Sequence, residues 1–168
     1  RVIVWLHNEW RTRHDVAETA RSTDVFLTCS HYIKCWTQQE HPLFASKLVV
    51  ALNGVDLDAF YPRAEYLKPT PAVRVLVIGR IDPNKGPDIA ADAVAALRAE
   101  NLPVTLTVAG GLWFYGKNDP SSDPFFRVLE PKMRAANAEY LGHVARPEVP
   151  ALVRNHDVVM VLSRSQEP

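Results

Sequence analysis

Short apolar runs alternate with helix-length segments along nearly the whole chain, and this alternation limits the possible folds more than any other feature. Val2 to Leu6, Val25 to Thr28, Leu48 to Leu52, Val73 to Ile78, Val104 to Ala109, Tyr140 to Leu141 and Val158 to Leu162 read as strands. Arg11 to Ser22, His31 to Gln39, Ile89 to Glu100, Phe125 to Asn137 and Pro147 to Asn155 read as helices. Strand and helix in this order build βαβ units, so the expected class is α/β with parallel sheets. The rhythm breaks from Asn53 to Pro71, a stretch with Asn-Gly, three prolines and no sustained period. The chain is therefore expected to divide into residues 1–55, a linker over 56–72, and residues 73–168. Leu112 to Asp123 reads as a longer surface loop.

Composition narrows the function classes. Of 168 residues 47% are hydrophobic, enough for a core. Lys plus Arg equals Asp plus Glu at 19 each, so no net field draws in nucleic acid or an anionic membrane. Any phosphate recognition must be local. No apolar run approaches the roughly 18 residues that span a bilayer. Cys29 and Cys35, with His31 between them, supply too few ligands for structural zinc at a spacing that matches no finger, and neither a metal nor a disulfide is expected. The chain opens without Met inside an apolar strand and stops at Pro168 just past another, so it is expected to be a segment of a longer protein.

The loop from Gly79 to Asp88 follows one apolar strand and precedes an Ala-rich helix. Arg80 and Lys85 thus sit at the carboxyl edge of a parallel sheet, where open α/β folds bind ligands. Gly86 permits close backbone approach, and Pro87 suits a first helical position. An anion here would meet two cations and the N–H groups of a helix start, the outline of a pyrophosphate site. The competing reading is a solvated loop that happens to be basic. A nicotinamide dehydrogenase is not indicated, because Gly110-Gly111 with Gly116 does not make Gly-x-Gly-x-x-Gly, and Lys85 lacks the Gly-Lys-Ser/Thr of a P-loop.

Several further runs occur in a meaningful order. Asn53-Gly54-Val55-Asp56 with Phe60 and Pro62 is similar to the signature at the lobe crossing of retaining GT-B glycosyltransferases, family 4 (glycosyl transferases group 1). Gly79-Arg80 with Lys85-Gly86 resembles that family's donor motif, and Val108-Ala109-Gly110-Gly111 its next strand end. Tyr140-Leu141-Gly142-His143-Val144 resembles its Phe-Leu-Gly-x-Val turn, and Ser163 to Pro168 the start of its paired-glutamate motif. Non-hydrolysing sugar-nucleotide epimerases share the fold and donor type without the Asn-Gly-Val-Asp crossing.

The resemblance implies a GT-B fold of two Rossmann-like, doubly wound lobes, both incomplete here: the end of an N-terminal acceptor lobe and most of a C-terminal donor lobe. It implies a hexosyltransferase-type enzyme moving sugar, with retention, from a nucleotide-diphosphate sugar to a carbohydrate or lipid-linked acceptor. Arg80 and Lys85 match the pair that holds the diphosphate. His143 and Val144 match the turn whose backbone reads the base. Glu167 matches the first acid of the paired motif, which contacts the donor sugar, and His7 a histidine facing that sugar. Glu9 invites a general acid or base role that the family does not support, and Trp5 and Trp36 read as core residues. His14, His31, His41 and His156 have no motif behind them. The resemblance implies no cofactor or metal, no nucleic-acid partner, a cytoplasmic location and peripheral membrane contact through regions outside this sequence, polysaccharide or glycolipid synthesis being common in the family. The glycine-rich N-terminal loop, the Phe-Gly after Glu-Pro and the second glutamate also lie outside it, so catalysis by this chain alone is not expected. The alternative from another class is a non-catalytic sugar-nucleotide-binding or scaffolding protein.

Overall fold

The structure, a computed structural model, describes residues 1–9, 15–62, 71–112 and 120–164. The chain divides into two compact units at the Val55–Asp56 peptide bond.

The first unit holds three parallel strands in sequential order, β1 (Ile3–Leu6), β2 (Val25–Thr28) and β3 (Leu48–Val50), with Trp5 opposite Leu27 and Leu27 opposite Val49. Helix α1 (Val16–Ser22) begins where Asp15 accepts the amides of Ala17 and Glu18 at 2.8 and 3.0 Å. The earlier part of the helix expected from Arg11, residues 11–14 with His14, lies outside the described residues. Helix α2 (His31–Glu40) starts at Ser30, whose hydroxyl accepts the Ile33 amide, and buries Ile33 and Thr37, one turn apart. A 3₁₀ segment, Pro42–Lys47, was not anticipated; it lays Phe44 against Phe26 with ring centroids 4.2 Å apart in the core formed with Leu6, Ile33 and Leu48. Trp5 is not a core residue. It is 51% exposed, because Ile3 and Trp5 lie on the parity opposite buried Leu6. Trp36 is half-buried, edge-on to His41.

The second unit is a four-stranded parallel sheet in the order β6-β5-β4-β7: β4 (Val73–Ile78), β5 (Val104–Ala109), β6 (Glu139–Gly142) and β7 (Val158–Val159). Helices α3 (Pro87–Ala99) and α4 (Pro124–Ala135) bury Ala90, Ala91, Val94, Leu129 and Met133 against Val75, Val77, Leu106 and Val108. Helix α5 (Val149–Arg154), entered through a 3₁₀ turn at Arg146–Glu148, serves the other face. His156, just past α5, meets the Thr107 hydroxyl at 2.9 Å, and Thr107 has the parity opposite Leu106 and Val108. Helices on both faces make this sheet doubly wound.

Two strands end earlier than the apolar runs suggest. β3 stops at Val50 and β7 at Val159, although the amides of Ala51 and Met160 each still donate to the neighbouring strand, at 2.9 Å. Beyond β7, Met160 and Leu162 still pack on the core after the ladder has ended, whereas Val161, and Leu52 beyond β3, stand exposed. β7 is fixed at its start by Arg74, which donates to both carboxylate oxygens of Asp157 at 3.0 and 2.9 Å. The chain runs from β4 outwards to β5 and β6 and then returns to β7 on the other side of β4. The topological switch point therefore lies between β4 and β7, and the loops that follow those two strands flank it.

Ahead of β4, Asp56 closes a turn by accepting the amides of Asp58 and Ala59 at 3.0 and 3.3 Å, which is the local work of the acid in Asn53-Gly54-Val55-Asp56. Arg154 at the end of α5 donates to the Ala59 carbonyl at 2.8 Å and lies 4.2 Å over the Tyr61 ring, so this turn is held on the second unit.

Candidate active site

The carboxyl ends of β4, β5 and β6 enclose a cavity of about 370 Å³. Its walls are Ile78, Gly79 and Arg80 after β4, Ala109, Gly110 and Gly111 after β5, His143 and Val144 after β6, and Val149 of α5. The volume suits a small-molecule group, and the surroundings are largely aliphatic or bare backbone with a cation at the rim. Backbone bonds hold the three strand ends in step: Gly79 N–H to Ala109 O at 3.0 Å, Ile81 N–H to Gly111 O at 3.2 Å, and Gly110 N–H to Gly142 O at 2.7 Å.

Gly110 carries the tightest constraint. Its φ is 156°, and a Cβ built there would stand 1.6 Å from the Gly79 carbonyl oxygen. The opposite side of Gly110 is pinned by Tyr140, whose hydroxyl donates to the Gly110 carbonyl at 2.9 Å; burial pushes that phenol above its ordinary range. Sequence reasoning missed this role of Tyr140. The available signal was an aromatic residue with a polar tip placed where the motif tolerates a phenylalanine.

Among the expected site residues, Arg80, His143 and Val144 meet at this cavity. Arg80 is half-buried and His143 exposed. Lys85 belongs to the same loop as Arg80 but does not line the cavity; it closes a 3₁₀ turn, Pro83–Lys85, opened by Asp82, which accepts the Asn84 amide at 2.7 Å. Glu167 lies outside the described residues. His7, in the first unit, is exposed and stacks on Trp5 at 5.0 Å between ring centroids, so it is not a packed core histidine. Glu9 accepts a hydrogen bond from the Tyr32 hydroxyl at 2.7 Å, which occupies one oxygen of that carboxylate.

Helix α3 begins at Pro87, as the sequence suggested, and Gly86 adopts the left-handed conformation. Pro87 has no amide hydrogen, and Ile89 N–H donates to Gly86 O at 3.1 Å. The Asp88 carboxylate in the first turn of α3 accepts from the Arg164 guanidinium at 3.0 and 2.6 Å. That guanidinium is the main reason the Asp88 carboxyl is held below the usual carboxylate range, with Lys132 adding a smaller field in the same direction.

With this geometry in hand, residues 62–168 match the family described as glycosyl transferases group 1, more than half of the chain. The chain belongs to this family. The chain is also 32% identical to D-inositol 3-phosphate glycosyltransferase of Mycolicibacterium smegmatis over 132 residues, covering 75% of this chain and 29% of that protein. Spore coat protein SA of Bacillus subtilis is 25% identical over 183 residues, covering 99% of this chain and 48% of that protein. Among solved structures, the Anabaena HepE protein in complex with UDP-glucose superposes with a TM-score of 0.72 at 19% identity, covering 99% of this chain and 48% of that one. The chain therefore spans about half or less of the length of the relatives it matches, and its fold is that of the GT-B glycosyltransferases.

Proposed function

We propose that the full-length protein is a retaining, family 4 hexosyltransferase that takes sugar from a nucleotide-diphosphate sugar and passes it to a carbohydrate or lipid-linked acceptor. The observation that carries this reading is the placement of Arg80, in the loop that follows β4 and flanks the switch point, on a largely apolar cavity at the ends of β4, β5 and β6. A flat base fits among Ile78, Ala109, Gly110, Gly111 and Val144, and the phosphates then extend towards Arg80 and Lys85. As the glycosidic bond breaks, the departing diphosphate gains negative charge, and fixed cations stabilise that state more than the ground state. Arg80 contributes a planar fork and Lys85 a point charge. In this reading residues 1–55 belong to the acceptor lobe, residues from 73 onward to the donor lobe, Glu167 holds hydroxyls of the donor sugar, and His7 meets the transferred sugar. The donor phosphate serves as base, so no side-chain nucleophile is called for, and the two cations take the place of a metal. The protein works in the cytoplasm, at or near a membrane surface.

Relatives named as glycosyltransferases favour the enzyme over the non-catalytic alternative, whose one support is a relative named for a spore coat. Release of nucleoside diphosphate from UDP-, GDP- and ADP-sugars by the full-length protein decides between them. Turnover of at least one donor is expected. Binding of a nucleotide sugar without turnover, across a range of sugar and lipid-linked acceptors, would establish the binding protein instead. In the active enzyme His7→Ala is expected to depress transfer while leaving affinity for the bare nucleoside diphosphate unchanged; normal specific activity with a lowered melting temperature would remove His7 from the site.

A further inference from the structure

The loop that carries Arg80 and Lys85 is held from outside by a residue that the donor motif does not include. Arg164, beyond the end of β7, makes three kinds of contact with it. Its backbone N–H donates to the Asn84 carbonyl at 2.7 Å, its guanidinium donates to the Pro83 carbonyl, and the same guanidinium grips both oxygens of Asp88, at 3.0 and 2.6 Å. Pro83 and Asn84 belong to the 3₁₀ turn that ends in Lys85, and Asp88 is in the first turn of α3. The two chain segments also approach to the limit of backbone contact, since a Cβ on Gly86 would fall 2.3 Å from the Leu162 carbonyl oxygen.

An isolated surface ion pair would carry little weight. This one differs in geometry and setting: it is bidentate, the Asp88 side chain is only 13% exposed, and the same guanidinium satisfies a backbone carbonyl of the turn. With Asp82 bracing the turn from its beginning and Arg164 from its end, Lys85 has little freedom to move its backbone. Lys132, the other cation near Asp88, is engaged by Asp92 on α3 and does not reach the turn.

We infer that Arg164 is a positioning residue for the diphosphate, locking the Pro83–Lys85 turn and the start of α3 so that Lys85 and Arg80 present a preformed pair of cations. This rests on the reading of that loop as the diphosphate site. It makes Arg164 act on the phosphates without touching them. A lock of this kind lowers the ordering cost of binding, so its removal weakens recognition of phosphate and leaves recognition of the base alone.

Isothermal titration of the full-length protein with UDP, with GDP and ADP run beside it, and with the corresponding nucleosides as controls, tests the assignment. Arg164→Ala is expected to weaken binding of the preferred diphosphate roughly tenfold and to leave nucleoside affinity unchanged. Asp88→Asn should do the same, and the double variant should be no worse than either single one, because both remove one lock. Arg164→Lys, which keeps the charge but not the fork, should fall between Arg164→Ala and wild type and serves if the alanine variant does not fold. Unchanged diphosphate affinity in folded Arg164→Ala or Arg164→Lys, or additive losses in the double variant, would overturn the inference. So would equal losses for diphosphate and nucleoside, which mark a merely structural role. Arg80→Ala in the same series separates the two levels: if it too leaves diphosphate affinity and turnover intact, the diphosphate reading itself has failed.

Discussion

Arg80→Ala in the full-length protein is expected to lower sugar-transfer turnover about 100- to 1000-fold, with a much smaller change in donor affinity. The asymmetry follows from when the charge appears. In the bound donor the diphosphate is esterified to the sugar. In the transition state it is becoming a free anion, and a half-buried guanidinium at the cavity rim interacts more strongly with that growing charge than with the resting ester. Lys85→Ala should behave in the same direction. Steady-state kinetics with the identified donor provides the check: turnover near wild type in both variants would remove the cations from the chemistry, whereas a rise in KM at constant kcat would make them binding residues only.

Gly110→Ala is expected to destabilise the second unit by more than about 3 kcal/mol, and in a marginally stable protein that prevents normal accumulation. No rearrangement of side chains relieves the conflict, because the atom in the way is the backbone carbonyl oxygen of Gly79, 1.6 Å from the new Cβ, and the Gly79 N–H is bonded to Ala109 O just past the β4–β5 ladder. Gly111→Ala is the matched control. Its Cβ would meet the His143 Cβ at 3.5 Å, an ordinary contact, so the variant should fold normally. Denaturant unfolding of the two variants measures the contrast, and equal stability would show that the strand ends at Gly79 and Gly110 are not as rigidly apposed as their hydrogen bonds imply.

The sequence made the parallel, doubly wound class readable because short apolar runs alternate with helix-length segments, three of which the structure opens on side-chain caps, Asp15, Ser30 and Asp123. It was less informative about where strands end. At Val50 and Val159 the apolar pattern continues past the last ladder pair, and apolar composition alone does not distinguish a paired residue from one packed on the core, such as Leu162, or one left exposed, such as Leu52 and Val161. Trp5, read as core from the sequence, is exposed in this chain because its parity within β1 is opposite to that of Leu6. Within the candidate site, Arg80, His143 and Val144 were legible from motif order, and they do line one cavity. The helix start at Pro87 was legible as a position but not as an environment. Asp88 and Arg164 stand 76 residues apart, and no local pattern announces that one covers the other.

Closing the sheet around β4 also joins distant parts of the chain in time. The pairing of β4 with β5 spans one helix and two turns, but β7 joins the other edge of β4 only across a separation of 83 residues, where Arg74 meets Asp157. Loop-closure entropy makes such a contact of high contact order slower to form than its neighbours, even though its cost grows only slowly with length. Because Arg164 lies in the segment that leaves β7, the turn bearing Lys85 inherits that delay. A nascent chain that has already built β4, α3 and β5 therefore holds the cations of this loop without their final geometry, and gains it when β7 takes its place.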